Sequence, residues 1–266
     1  MKRPGSRITI GNLEEVIKPD ALRKALTEFI CVLVFVFSAE GCVIFLSKLN
    51  PISGPPGYSF YLAVALTHGI GLLVAVALGM NISGGHASPA VTFGALLGGH
   101  ITFVMSVLYS IAQCLGGVSA MFLLKLATNG VTVTGWTGLT PLQAIIYEII
   151  MVFFIVYVYA ATIFDPKSKM KIIAPFVIGL LCTSNIFCGG SHFGAAMNPA
   201  MSLSVAVISG KWHNHWAYWL GPFVGAALAT VVYQTINTSD EDIYEQLPIT
   251  KPVKDDDTYK QLLIDH

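Results

Sequence analysis

Six long apolar segments dominate this sequence, and few charges interrupt them between residue 24 and Ser239. A helix needs about 20 apolar residues to cross the hydrocarbon core of a bilayer. The predicted spans cover residues 26–46, 59–80, 101–126, 142–164, 172–187 and 216–236. Charged residues make up 11% of the chain, which is roughly half of the usual share. The sequence therefore predicts an all-α membrane protein.

The few positive charges indicate how the spans are oriented. Lysines and arginines precede the first span and lie between the fourth and fifth, namely Lys2, Arg3, Arg7, Lys18, Arg23, Lys24, Lys167, Lys169 and Lys171. The opposite loops carry little beyond Lys48 and Lys211. Because positive loops stay in the cytoplasm, both termini are predicted to be cytoplasmic. The predicted boundaries are an N-terminal segment 1–23, a membrane domain 24–236 and a C-terminal tail 237–266.

The two halves of the chain carry matching features, at about residues 24–126 and 142–236. Each half has a span with an acid near its start, Glu28 or Glu148, and a proline-alanine element about 50 to 60 residues later. The elements read ISGGHASPAVT at 82–92 and SHFGAAMNPAMS at 191–202. A repeat of three spans is odd in number, so the second copy must be inverted in the membrane.

Each proline-alanine element predicts a short helix that enters the membrane without crossing it. Ser88 and Asn198 are N-cap residues, with a proline at the first helical position. The apolar runs that follow, 90–97 and 200–208, are too short to span a bilayer. Irregular backbone at this depth must be buried or line a wet cavity. The predicted central constriction therefore comprises Ser88, Pro89, Ala90, Asn198, Pro199 and Ala200.

Inversion brings the two half-helices in from opposite faces, so that their N-termini meet near the middle of the bilayer. Helix N-termini carry partial positive charge. Such a site repels cations, while the capping side chains can still hydrogen-bond a neutral solute.

These elements and the stretches around them resemble the aquaporin family over about residues 20–236, with most matches in its tonoplast intrinsic branch. The matching stretches are SGGH at 83–86, PAVTFGA at 89–95, LKLAT at 124–128, IAP at 173–175, NPA at 198–200 and NHWAYWLGP at 214–222. The resemblance implies six tilted helices and two re-entrant half-helices, assembled as a homotetramer with a pore in each protomer. It also implies a passive channel for water and small neutral solutes in the vacuolar membrane, with no cofactor and no nucleic-acid partner.

By the same resemblance, a narrow outer filter is formed by His68, Ile186, Ala195 and Met201. Many family members have arginine at the position of Met201. Arginine narrows a pore and offers several donors, whereas methionine is flexible and apolar. We therefore expect a filter that also admits ammonia, urea, hydrogen peroxide or glycerol.

The resemblance also assigns three residues that brace the re-entrant loops. Glu28 and Glu148 would each accept hydrogen bonds from backbone N–H groups, and His86 would hold its own loop. Ser88 stands where the family usually has asparagine. A hydroxyl offers one donor instead of two, so we expect a slightly wider constriction on that side.

The five cysteines do not predict a disulfide framework or a metal site. They are odd in number and lie in or at the ends of the apolar spans, at Cys31, Cys42, Cys114, Cys182 and Cys188. Cysteine in such a setting behaves as a small buried hydrophobe. We expect no metal and no cofactor.

Two other classes of protein remain as alternatives. A secondary transporter also uses inverted repeats and broken helices, but its coupling-ion ligands would have to be Glu28 and Glu148. An intramembrane hydrolase could use Ser88 with His86 or His68, and it would need an activated serine and an oxyanion site. Ser88 is already explained as a cap and no Gly-x-Ser-x-Gly element is present. We favour a channel that is not an enzyme.

Overall fold

A computed structural model describes residues 8–49, 57–130, 140–190 and 196–237, and within these ranges every regular element is helical. The helices are α1 (Leu13–Val16), α2 (Pro19–Leu49), α3 (Tyr58–Gly79), α4 (Pro89–Leu97), α5 (Phe103–Ala127), α6 (Pro141–Tyr159), α7 (Ala174–Asn185), α8 (Pro199–Ser209) and α9 (Ala217–Asn237). Shorter helical turns adjoin α6 and α7, at Ala160–Phe164, Lys171–Ile173 and Ile186–Gly190. One compact unit comprises Met1–Gln234, and in the second, Thr235–His266, only residues 235–237 are described.

Six of the described helices are long and apolar enough to cross a membrane. They are α2, α3, α5, α6 with the turn that follows it, α7 with its flanking turns, and α9. Their bounds agree with the predicted spans to within about three residues, except at the start of the first. The prediction of an all-α membrane protein with six spans is confirmed.

The first span starts earlier than predicted, because the charged segment before residue 26 is also helical. Asp20 pairs with Arg23 at 2.8 Å and with Lys24 at 2.5 Å. Pairs three and four residues apart lie on one helix face and stabilise it. The predicted boundary between residues 23 and 24 therefore lies inside α2.

The segment before α2 contacts the start of α5. Phe103 N donates to Thr9 O at 2.9 Å, and Val104 N donates to Ile10 O at 3.1 Å. The first N–H groups of a helix have no partner inside that helix. Thr102, the N-cap of α5, also donates its hydroxyl to Glu15 at 3.0 Å. Residues 8–17 therefore cap α5, and they are an ordered part of the fold.

The two halves use the same close helix contact. A Cβ added at Gly116 of α5 would lie 2.3 Å from the carbonyl oxygen of Phe29 on α2. A Cβ added at Gly225 of α9 would lie 2.4 Å from that of Ile149 on α6. Phe29 directly follows Glu28, and Ile149 directly follows Glu148. Small residues let membrane helices approach this closely. Because the two glycine contacts are equivalent, the repeat seen in the motifs is also present in the helix packing.

Candidate functional site

The two short helices begin as the sequence predicts. Ser88 Oγ accepts from Ala90 N at 3.2 Å, and α4 starts at Pro89. Asn198 Oδ1 accepts from Ala200 N at 3.0 Å, and α8 starts at Pro199. A proline at this position costs no hydrogen bond, because the first helical N–H has no partner anyway. The two N-cap predictions are confirmed.

The residue before each cap has an unusual backbone conformation. Ala87 and Met197 both have φ of +51°, a region that residues other than glycine seldom occupy. Each lies at the reversal where the loop turns into its half-helix. The equal angles show that the inverted repeat is preserved at this level, and such conformations persist only where the surroundings hold them.

The carboxylate of Glu28 holds the loop before α4. This side chain is fully buried and accepts from His86 N at 2.9 Å, Ala87 N at 2.8 Å and Gln113 Nε2 at 2.8 Å. The hydroxyl of Ser83 is a fourth donor. A buried carboxylate is costly unless it is hydrogen-bonded, and here both oxygens are bonded.

The carboxylate of Glu148 holds the loop before α8. It is also fully buried and accepts from Ala196 N at 2.6 Å and Met197 N at 3.0 Å. Both acids thus bond the residue with positive φ, Ala87 or Met197. In each half a buried carboxylate therefore holds the equivalent reversal of the loop.

The ring of His86 is fixed inside the bundle. Its Nδ1 lies 3.0 Å from Thr92 Oγ1, and Gln113 Nε2 donates to the same hydroxyl at 2.9 Å. The ring also contacts Tyr109 and Phe164 edge-on, with centroids 5.4 Å away in each case. His86 therefore connects its loop to α4, α5 and the turn after α6.

The tips of the two half-helices meet. Asn198 Nδ2 donates to Ala87 O at 2.7 Å, across 111 positions of sequence. The amide of Asn198 has a second N–H and Ser88 has a hydroxyl hydrogen. Within the described part of the chain, no protein acceptor binds either of them. Two donors thus remain for another molecule at the tips.

A small cavity lies beside the tips. It is lined by Ser88 and Asn198 together with Phe35, Leu72, His86, Val91, Ile155, Tyr159, Cys182, Ala196 and Met197. The lining includes no acidic side chain, no lysine and no arginine. Phe35, Tyr159 and Cys182 were not singled out from the sequence, because each is an ordinary apolar-helix residue with no motif around it.

Three of the four predicted filter residues are described, and all three are buried. Ile186 and Met201 are 2% and 1% exposed, and Ala195 lies outside the described residues. His68 Nδ1 is 2.8 Å from Val64 O on the same helix. Because a carbonyl oxygen can only accept, Nδ1 carries the proton and Nε2 of the neutral ring is an acceptor.

Six crossing helices and two half-helices that meet tip to tip beside an uncharged cavity define a channel-type membrane protein. A sequence profile described as "Major intrinsic protein" matches residues 15–233. The chain belongs to the major intrinsic protein family. The resemblance seen in the sequence is thereby confirmed.

Curated relatives and a solved structure agree with this assignment. "Probable aquaporin TIP1-2" of Oryza sativa subsp. japonica is 46% identical over 251 residues, which cover 92% of this chain and 98% of the relative. "Aquaporin TIP1-1" of Arabidopsis thaliana is 46% identical over 253 residues, with 93% and 99% covered. The aquaglyceroporin of Plasmodium falciparum has the same fold, with a TM-score of 0.70 at 18% identity, over 81% of this chain and 96% of that one. The family and these curated relatives support a passive channel for water and small solutes, and not an enzyme.

Proposed function

We propose that the chain conducts water and small neutral solutes, namely ammonia, urea, hydrogen peroxide and glycerol, and excludes protons and ions. The observation that carries this proposal is the contact between the half-helix tips, where Asn198 Nδ2 lies 2.7 Å from Ala87 O. Each helix N-terminus contributes roughly half a positive charge. The two tips together oppose a cation, or a proton moving along a file of water, at the narrowest point.

The free donors at the tips support the passage of neutral molecules. Ser88 and Asn198 each keep one hydrogen for a solute oxygen or nitrogen, and the rest of the cavity wall is mostly apolar. A molecule in this cavity therefore finds few partners and is not bound tightly. Weak binding of this kind is what conduction requires.

The filter composition supports a permeant range wider than water. Met201 supplies no charge and no donor, and His68 Nε2 presents an acceptor. A filter with an acceptor and no fixed cation suits molecules that donate O–H or N–H groups. Water, ammonia, urea and glycerol all do so.

The substitution Met201→Arg tests the filter. Arginine narrows the passage and adds donors, so we expect urea and glycerol fluxes to fall by about tenfold, a barrier change of about 1.4 kcal/mol. Water flux should be retained. Stopped-flow light scattering on reconstituted vesicles measures all of these fluxes.

Met170→Arg is the matched control, because Met170 lies in the exposed loop between α6 and α7. It adds the same charge away from the cavity and should change no flux. Unchanged solute flux in Met201→Arg would remove the filter proposal.

The same vesicles separate a channel from a secondary transporter. Glu28 and Glu148, the acids beside the re-entrant loops, are both occupied by N–H donors. Solute flux should therefore rise linearly with solute concentration, and it should not depend on a proton or sodium gradient. Saturable uptake driven by a gradient would favour the transporter.

We also propose a homotetramer in the vacuolar membrane with cytoplasmic termini. The tonoplast-type names of the relatives support the membrane, and the lysines of the loop between α6 and α7 support the orientation. Many large apolar side chains on the outer faces of the helices are exposed in the single chain, among them Leu115, Phe122 and Leu180. Mass measurement in lipid nanodiscs should give four copies, and a monomer would contradict the assembly.

A further inference from the structure

Tyr159 lines the cavity, although no sequence motif predicts this position. It is fully buried at the end of α6 and lines the same cavity as Ser88 and Asn198. Its hydroxyl donates to Gly85 O at 2.9 Å and lies 3.4 Å from His86 O. Tyr159 therefore joins α6 to the re-entrant loop just before the first half-helix.

The position of Tyr159 along α6 places it on the α4 side of the tips. Earlier on the same helix, Glu148 bonds the loop before α8. The eleven steps along the helix from Glu148 to Tyr159 rise about 16 Å. Met201 of the predicted filter lies in the first turn of α8, on the other side of the tips. Tyr159 and the filter are thus at opposite ends of the passage.

Neighbouring rings hold the Tyr159 ring in place. Phe164, at the end of the turn that follows α6, lies 5.8 Å from it between ring centroids. The ring of Phe164 also contacts His86. Large apolar side chains, Phe35 and Leu72, line the same cavity. An aromatic ring fixed against such a wall leaves little room beside it.

The hydroxyl of Tyr159 also changes the polarity of the cavity wall. Three carbonyl groups of the loop are bound by protein donors. Ser83 O accepts from Tyr109 at 3.1 Å, Gly85 O from Tyr159, and Ala87 O from Asn198. A carbonyl in a pore wall would otherwise accept hydrogen bonds from passing water. Because Tyr159 already donates to Gly85 O, this carbonyl is not available to passing water.

We propose that Tyr159 forms a second constriction, on the α4 side of the half-helix tips, that limits the size of permeating solutes. Its ring sets the width, and its hydroxyl occupies an acceptor that would otherwise bind the permeant. This inference rests on the proposed channel function. Solutes are then selected by the filter residues His68, Ile186 and Met201 at one end of the passage, and by Tyr159 at the other end.

The test uses two variants that shorten the side chain, Tyr159→Val and Tyr159→Leu. In reconstituted vesicles we expect the urea and glycerol fluxes to rise about tenfold relative to water, a change of about 1.4 kcal/mol in the barrier. Proton flux should stay low, because both half-helices remain. Tyr159→Phe keeps the ring, so its solute-to-water ratio should match the wild type while water flux rises.

Two controls separate constriction from general loosening. Tyr157→Val removes a similar volume from α6, but Tyr157 stacks on Phe153 and does not line the cavity. Tyr109→Phe frees Ser83 O in the same loop, and Tyr109 does not line the cavity either. Neither control should change the solute-to-water ratio.

The outcomes are distinct. A wild type that conducts no water refutes the channel function itself. A conducting wild type with unchanged ratios in Tyr159→Val and Tyr159→Leu refutes the second constriction. A ratio that rises equally in Tyr157→Val, or together with proton flux, refutes it too, because loosening would explain the result. If Tyr159→Val does not assemble, the more conservative Tyr159→Leu decides, and an equal rise in Tyr159→Phe overturns the role of the ring.

Discussion

Glu28 and Glu148 show how single side chains set the geometry at the centre of the bundle. Both accept from the backbone amide of the residue with positive φ, and both are fully buried. Among the described residues, Glu28 accepts from three donors of its own loop and from Gln113, and Glu148 accepts from Ala196 and Met197. Each re-entrant loop is therefore held at its reversal by one buried acid.

Glutamine substitutions at these acids should destabilise the bundle at both loops. In Glu28→Gln or Glu148→Gln one acceptor oxygen becomes an NH₂ group that faces backbone donors. A buried hydrogen bond to a charged group contributes about 1.5–3 kcal/mol, so each substitution should lower the thermal unfolding midpoint. Unfolding in detergent measures both. Glu14→Gln on the exposed α1 is the control, and an unchanged midpoint at either buried site would contradict the prediction.

His215, in the turn before α9, should make one aromatic contact depend on pH. Its Nε2 accepts from Trp219 Nε1 at 2.9 Å. Burial lowers the pKa of His215 below its ordinary value, so the folded chain favours the neutral ring. The contact is then complete above about pH 6.5 and is lost as the pH falls below it. A protonated ring carries hydrogen on Nε2 and cannot accept.

Tryptophan fluorescence between about pH 7.5 and 5 checks this contact. We expect a spectral change in the wild type that is reduced in Trp219→Phe and in His215→Gln. A wild-type spectrum that is constant over the whole range would refute the prediction.

At the scale of helices, the close glycine contacts decide how near the elements lie. Gly116 meets the backbone of α2, and Gly225 meets the backbone of α6 in the same way. These contacts involve carbonyl oxygens, which cannot rotate away from an added methyl group. The separation of each helix pair is therefore set by the absence of a side chain.

Gly116→Ala should force α2 and α5 apart. The new Cβ would lie 2.3 Å from Phe29 O, and overpacking of this kind costs about 1–3 kcal/mol. The expected result is a lower unfolding midpoint in detergent together with reduced water flux, because Phe29 adjoins Glu28. Gly57→Ala, whose Cβ would meet nothing nearer than 3.9 Å, is the matched control. A fully stable Gly116→Ala would contradict the close contact.

For the whole molecule, the inverted repeat predicts which loops face the same side of the membrane. The loop between α6 and α7 and the turn between α8 and α9 must face opposite aqueous phases, because α7 and the half-helix α8 lie between them. We propose from its lysines that the first of these loops faces the cytoplasm. The half-helix α8 returns to the face from which it entered.

Labelling with a membrane-impermeant maleimide tests this arrangement. In a background with the exposed thiol removed by Cys188→Ser, Met170→Cys should label from the cytoplasmic side of sealed vesicles and Lys211→Cys from the other side. Both positions are exposed. The unsubstituted background is the control. Labelling of both positions from one face would remove the inverted repeat and the channel with it.

The sequence by itself determined the features that depend on neighbouring residues. Apolar runs fixed six spans, and the capping chemistry of Ser88 and Asn198 fixed the start of two half-helices, because a cap bonds an amide two positions away. The sequence missed the helical start of α2 at Pro19, where i,i+4 pairing stabilises a charged turn that hydropathy excludes.

Only the tertiary structure decided which distant groups meet. Ala87 O meets Asn198 across 111 positions, and Gly85 O meets Tyr159 across 74. Such contacts depend on how helices cross, which no local pattern encodes. The same reason explains why Tyr159 carries no signal in the sequence. The local sequence around a tyrosine in an apolar helix does not distinguish whether the side chain faces lipid, a neighbouring helix or the cavity.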